Sequence, residues 1–176
     1  MRKSIVAAIV ALCVAVPVAA AASTQTIDAS LSDTVSMTTT PTSTISSWTL
    51  ASTGANSTSG GQLTVSSNSA YTVAVTADKT RMTEYVTATS SYVAGSPKTL
   101  SSPLTVTATR SGGTAAVPGV GAAAVIGTSS ALAAGTGLGT DTYDVSLSQP
   151  TVITDSALPG GETYHIVLTY TASSSL

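Results

Sequence analysis

The chain has 176 residues, six Lys+Arg against eight Asp+Glu, 8% charged side chains and 43% apolar ones. Its length suffices for one packed domain, and a slightly negative charge with no basic cluster beyond Arg2-Lys3 excludes the electrostatic footprint of a nucleic-acid binder. A single cysteine, Cys13, excludes a disulfide framework.

The first element is read from residues 1–22. Met1-Arg2-Lys3 is cationic, Ile5 to Val18 is apolar apart from Cys13 and Pro17, and Ala19-Ala20-Ala21-Ala22 is a run of small residues. That order is the pattern of a secretory signal peptide cleaved near Ala22. An uncleaved anchor is the other reading, although the apolar run falls short of the ~20 residues a spanning helix needs. Cleavage removes Cys13, Arg2 and Lys3, leaving Lys79, Arg81, Lys98 and Arg110 against eight carboxylates in a single domain over 23–176. The expected location is therefore secreted or cell-surface, with no membrane span after signal cleavage.

Beyond residue 22 nearly two-fifths of the side chains are Ser or Thr, a composition shared with disordered stalks. Alternation of apolar and polar residues argues instead for strands with one buried face. Thr26 to Leu31 and Thr34 to Met37 are weak strands, and Thr44 to Leu50 is a third, carrying the lone Trp48. Gly54 to Gly61 is expected to be a polar loop, with Asn56-Ser57-Thr58 as a glycosylation acceptor, Asn56, exposed in it. Leu63 and Val65 then alternate with Gln62, Thr64 and Ser66, and Ser66-Ser67-Asn68-Ser69 reads as a hairpin connection to the run Tyr71, Val73, Val75, Ala77. Residues 78–97 look like a long crossover. Leu104, Val106 and Ala108 form the next alternating run, 111–140 is an Ala/Gly-rich hairpin or loop, and Tyr143, Val145 and Leu147 follow. Leu158-Pro159-Gly160-Gly161 is a tight turn before a last strand in which Tyr164, Ile166, Leu168 and Tyr170 share a side. The whole predicts an all-β fold: an antiparallel two-sheet β-sandwich, Ig-like or jelly-roll-like, after the signal peptide.

The chemistry-bearing residues are few. His165 is the only imidazole and is expected on the outward side of the last strand, facing solvent or a neighbouring subunit; one His without partners makes neither a triad nor a typical zinc site. Asp141, Asp144, Asp155 and Glu162 are too scattered for a catalytic carboxylate pair, and no D-x-D-x-D-type loop supports calcium, although loop carboxylates leave that reading open. Gly119 to Ala124 matches G-x-G-x-x-A with Asp141 about 20 residues on, but no βαβ unit surrounds it. No catalytic residue, cofactor or metal is therefore assigned.

Two segments resemble a known family. Ser46-Ser47-Trp48-Thr49-Leu50 resembles the first W-x-L motif of WxL-type surface domains, and Gly161 to Thr171 resembles their closing strand, with Tyr170 in place of the second Trp and Ala172 in place of the Leu. The resemblance implies a secreted prokaryotic surface β-sandwich, in which paired W-x-L motifs bind cell-wall glycan; it makes Trp48 and Tyr170 candidate ligand contacts. As plain sequence, Trp48 is a core aromatic.

The expected function is that of a non-catalytic structural or adhesive protein of the cell envelope, whose partners are other copies of itself or envelope components. Strand edges with few charges are open to pairing between copies, and Thr24 to Leu31 is the natural segment to be donated. The alternative is a monomeric module binding polysaccharide or another surface ligand.

Overall fold

The computed structural model describes residues 28–42, 44–46, 48–113, 120–121, 123–126 and 131–175. The signal peptide read at 1–22 lies outside them. The chain divides into two compact units, Met1–Leu31 and Ser32–Leu176. Of the first, Asp28 to Leu31 are described: they carry no strand and are exposed.

The second unit is all-β and antiparallel. Its strands in chain order are β1 (Val35–Thr39), β2 (Gly54–Ser67), β3 (Tyr71–Ala77), β4 (Thr83–Val86), β5 (Ser91–Tyr92) and β6 (Thr105–Gly113), then β7 (Val120–Gly121), β8 (Ala123–Val125), β9 (Ala131–Gly135), β10 (Gly139–Thr151), β11 (Glu162–His165) and β12 (Leu168–Ser174). A five-stranded sheet runs β1-β2-β10-β6-β8, a four-stranded sheet β12-β3-β9-β7, and a three-stranded sheet β11-β4-β5. The period-two runs explain the first two. Leu63 and Val65 of β2, Val106 and Ala108 of β6, and Tyr143, Val145 and Leu147 of β10 point inward from one sheet. Tyr71, Val73 and Val75 of β3, with Leu132 and Ala133 of β9, meet them from the other, giving a single sandwich core. Leu132 enters beside Ala133 because the register slips between Val73 and Ala74, a bulge that turns two neighbouring side chains inward.

Several sequence expectations change. Gly54 to Gly61 is not a loop but the first half of β2, paired with β10 from Gly54↔Thr151 onward. The Gly60-Gly61 pair is a bulge, opposite the register shift between Val145 and Ser146, with Gly61 at φ +86°. A side chain on Gly61 would meet Thr42, whose N–H donates to the Gly60 carbonyl at 2.8 Å. The Ser66–Ser69 connection is not a hairpin either. β2 and β3 lie in different sheets, and the Ser67 hydroxyl, donating to the Ser69 carbonyl (2.6 Å) and accepting its N–H (3.1 Å), bends the chain across the core.

The described part of Thr44–Leu50 is irregular rather than a strand. Pro41, buried and without an N–H, stops the ladder that β1 begins. The crossover 78–97 contains β4 and β5, which build the small sheet with β11. The last strand is two: β11 pairs with β4, β12 with β3, and the chain changes sheets at Ile166-Val167. Asp78 fixes that break, since its Oδ1 accepts the Val167 N–H at 2.8 Å and its own N–H donates to the Val167 carbonyl at 3.1 Å. The stretch 111–140 is neither one loop nor one hairpin. β8 pairs with β6 in one sheet, β7 with β9 in the other, and Ile126 and Leu132 enter the core. The turn at Gly160-Gly161 stands as expected, with the Glu162 N–H donating to the Pro159 carbonyl at 3.2 Å.

Candidate interaction surface

Among the described residues the core is sealed at its centre and only partly covered along one side. Leu63, Val65 and Val73 have no exposed surface. Val35 and Met37 of β1, Leu168, Tyr170 and Ala172 of β12, and Ile45 and Trp48 between β1 and β2 pack on the same core but are only partly buried. β1 comes beside β12 on this side, yet among the described residues pairs only with β2. Both candidate aromatics therefore belong to the half-covered margin. Trp48 sits in irregular chain, Tyr170 in β12, and burial pushes the Tyr170 phenol up to about 12.

Among the described residues the outer strands β12 and β1 differ in chemistry. β12 carries no charged residue and no proline, its seven pairs with β3 run without a register shift, and Thr169, Thr171 and Ser173 point out to solvent. β1 is shorter and its register slips between Met37 and Thr39. Lysines, prolines and bulges are the usual guards of a sheet edge; β12 has none of them.

His165 is not an outward, solitary imidazole. On the paired strands β11 and β4 it shares a face with Tyr85, and the two rings stack with centroids 4.2 Å apart and planes 19° from parallel. Tyr92 stands edge-on to both, at 5.4 Å from Tyr85 and 5.7 Å from His165, and Lys79 Nζ lies 4.6 Å from the Tyr92 centroid. The Tyr92 hydroxyl donates to Asp78 Oδ2 at 2.5 Å. Burial works to raise the Asp78 carboxyl, but the Tyr92 hydroxyl, the Val167 N–H and the His165 charge outweigh it and hold the carboxyl below its ordinary range. No residue type or spacing in 78–97 announced this cluster.

The carboxylates occupy separate places. Asp141 is buried in the core, where Oδ1 accepts from Arg110 and Oδ2 from the Tyr71 hydroxyl at 2.7 Å. Tyr71 and Tyr143 hydroxyls lie 2.8 Å apart, and Tyr143 donates to the Ala134 carbonyl at 3.1 Å. Asp144 accepts from Gln62 Nε2 at 3.0 Å. Asp155 binds the Ser101 N–H and hydroxyl and the Val152 N–H, at 2.8, 2.6 and 2.9 Å. Glu162 does have a carboxylate neighbour, Glu84, on β4. Among the described residues no group of three or more His, Cys, Asp or Glu side chains is placed to hold a metal.

Asn56 is a strand residue. Its Nδ2 donates to the Gln149 carbonyl (3.1 Å), the Thr151 hydroxyl (3.1 Å) and the Gly54 carbonyl (3.3 Å), and its Oδ1 accepts from the Ala51 N–H at 2.7 Å. A sugar on Nδ2 would replace one of the two hydrogens that serve those acceptors. Of the G-x-G-x-x-A match, Val120-Gly121 belong to β7 and Ala123-Ala124 to β8, while Gly119 and Ala122 lie outside the described residues. Strands in two sheets replace the strand–turn–helix that a dinucleotide site requires. Two shallow surface depressions are lined by hydroxyls, Ser57, Ser59 and Ser146 in one, Ser36, Ser66 and Thr140 in the other.

Comparison with protein-family models, with curated proteins and with solved structures finds no match. Among the described residues no helix is long and apolar enough to cross a membrane.

Proposed function

We propose that this chain is a non-catalytic structural or adhesive protein, exported by residues 1–22 to the cell surface or beyond, which self-associates through its strand edges. The observation that carries the reading is the partly covered side of the sandwich, where the unguarded edge of β12 coincides with a row of half-buried core residues among the described residues. Charged side chains are 8% of the sequence, so like-charge repulsion between copies is weak. Size-exclusion chromatography and electron microscopy of the exported protein test it: oligomers or filaments are expected, and a species that stays monomeric at high concentration overturns it.

A second reading has its own support. Trp48 packs on the core yet keeps exposed surface, which suits a binding role of the kind implied by the W-x-L resemblance. In that reading the chain is a module for wall polysaccharide or another surface ligand. Pull-down on isolated envelope material then requires Trp48→Ala to lose binding while circular dichroism still reports the sheet signal.

A further inference from the structure

We propose that β12 is the acceptor edge and that residues 24–31 of a second copy add to it as a further strand, an inference that rests on the self-association proposed above. Among the described residues the three sheets end in six outer strands: β1, β8, β12, β7, β11 and β5. β5 and β7 have two residues each and β8 three, too few to hold an added strand in register. β11 has four, and Glu162 and His165 are two of them. β1 has five, with its register broken before Thr39. Only β12 offers seven consecutive residues in one register with neither charge nor proline.

The core beneath β12 asks for the same thing. Leu168, Tyr170 and Ala172 form its inward row and all three are only partly buried; β1 comes beside β12, but among the described residues no strand pairs with the outer edge of β12. An added strand with small or aliphatic residues at every second position would complete that cover. Residues 24–31 read as such a strand: Ile27, Ala29 and Leu31 fall on one side, Thr26, Asp28 and Ser30 on the other. Leu31 is 84% exposed, the largest value among the exposed large hydrophobic residues.

The donor is assigned to another copy because the short connection to β1 is held by side-chain hydrogen bonds. Only Ser32, Asp33 and Thr34 separate Leu31 from β1, and Asn68 holds two of them, donating to the Ser32 carbonyl at 3.0 Å and accepting the Thr34 N–H at 2.6 Å.

Cysteine crosslinking tests the pairing in a Cys13→Ser background, where introduced thiols are the only ones. Copies carrying Ser30→Cys are mixed with copies carrying Thr169→Cys, Thr171→Cys or Ser173→Cys, all exposed positions, and oxidised. A mixed disulfide dimer with one of the three is expected, strongest at the residue directly opposite Ser30 and at least several-fold weaker at its neighbours two positions away. Oligomers that form without any such crosslink overturn β12 as the acceptor and leave self-association standing. Absence of both oligomer and crosslink removes both proposals. A monomeric disulfide in a chain carrying both cysteines, with no mixed dimer, places the segment on its own β12 and overturns the exchange between copies.

Discussion

Arg110 sets Nε and Nη2 on one oxygen of Asp141, Oδ1, at 3.0 and 2.9 Å, from the neighbouring strands β6 and β10. Asp141 is 1% exposed, so its charge depends on this contact and on the Tyr71 hydroxyl at Oδ2. Removing one member of a buried pair leaves the other charge without compensation, which costs about 3–5 kcal/mol. Arg110→Met is expected to lose stability on that scale in urea unfolding. Arg110→Met with Asp141→Leu is expected to lose less than Arg110→Met alone; an equal or greater loss would mean that the ion pair is not what holds the two strands.

The tyrosines give the fold an alkaline limit. Burial raises the Tyr170 phenol to about 12, and burial with hydrogen bonding to Tyr143 and Asp141 raises Tyr71 further. A group whose folded pKa exceeds its unfolded value of 10.0 stabilises the fold fully below pH 10. The contribution then falls as pH rises toward the folded value. Denaturant midpoints are expected to hold steady from pH 8 to 10 and to drop between pH 10 and 12. Tyr170→Phe should make that drop shallower, and an unchanged slope would count against Tyr170 as a source.

The legible part of this fold is its alternation. β2, β3, β6 and β10 contain the period-two runs, because a side chain that changes sides at every residue can be buried only by a sheet. Alternation is also why Asp141 could be read as inward-facing, two residues before Tyr143 on the same side of β10. Its partner Arg110 lies 31 residues away, across a bulge between Thr142 and Tyr143 that no local pattern marks. Gly60-Gly61 reads as a loop in the sequence because glycine pairs break strands, yet here the same freedom makes a bulge inside one. Nor does alternation say which sheet a strand joins. Ser66–Ser69 therefore has the sequence of a hairpin while joining two sheets, and the change of sheets at Ile166-Val167 depends on Asp78, remote in sequence.

Asp78 ties the small sheet to the sandwich by accepting from Tyr92 of β5 and from Val167 beside β12. Its carboxyl is held below the ordinary 3.8, so its stabilisation is present above that pH and lost as pH falls through the folded value. Asp78 is exposed, and solvent screening reduces the expected cost of Asp78→Ala to about 1 kcal/mol. The local consequence is larger. Amide hydrogen exchange in β4, β5 and β11 is expected to speed up in Asp78→Ala while β2 and β10 remain protected. Equal acceleration everywhere would show that the small sheet does not open on its own.

Glu84 and Glu162 form a carboxyl pair with unequal partners. The Lys98 N–H donates to Glu84 Oε2 at 2.8 Å and draws the Glu84 carboxyl down; the neighbouring Glu84 carboxyl, with which Glu162 hydrogen-bonds, draws Glu162 up. Lys98 lies near both and favours their ionised forms, but Glu162 Oε2 is buried with no donor facing it, so the shared proton belongs on Glu162. A raised folded pKa stabilises below the unfolded carboxyl value of 4.5 and is lost as pH climbs through the folded value. The wild-type melting temperature should therefore lose a component as pH rises from 4.5 toward neutrality. Glu162→Gln supplies a permanent N–H donor to Glu84 and removes the second charge, so its melting temperature should lack that component and exceed the wild type's at pH 7. A variant less stable than the wild type at pH 7, with the same pH profile, would mean that Glu162 is ionised and held by other contacts.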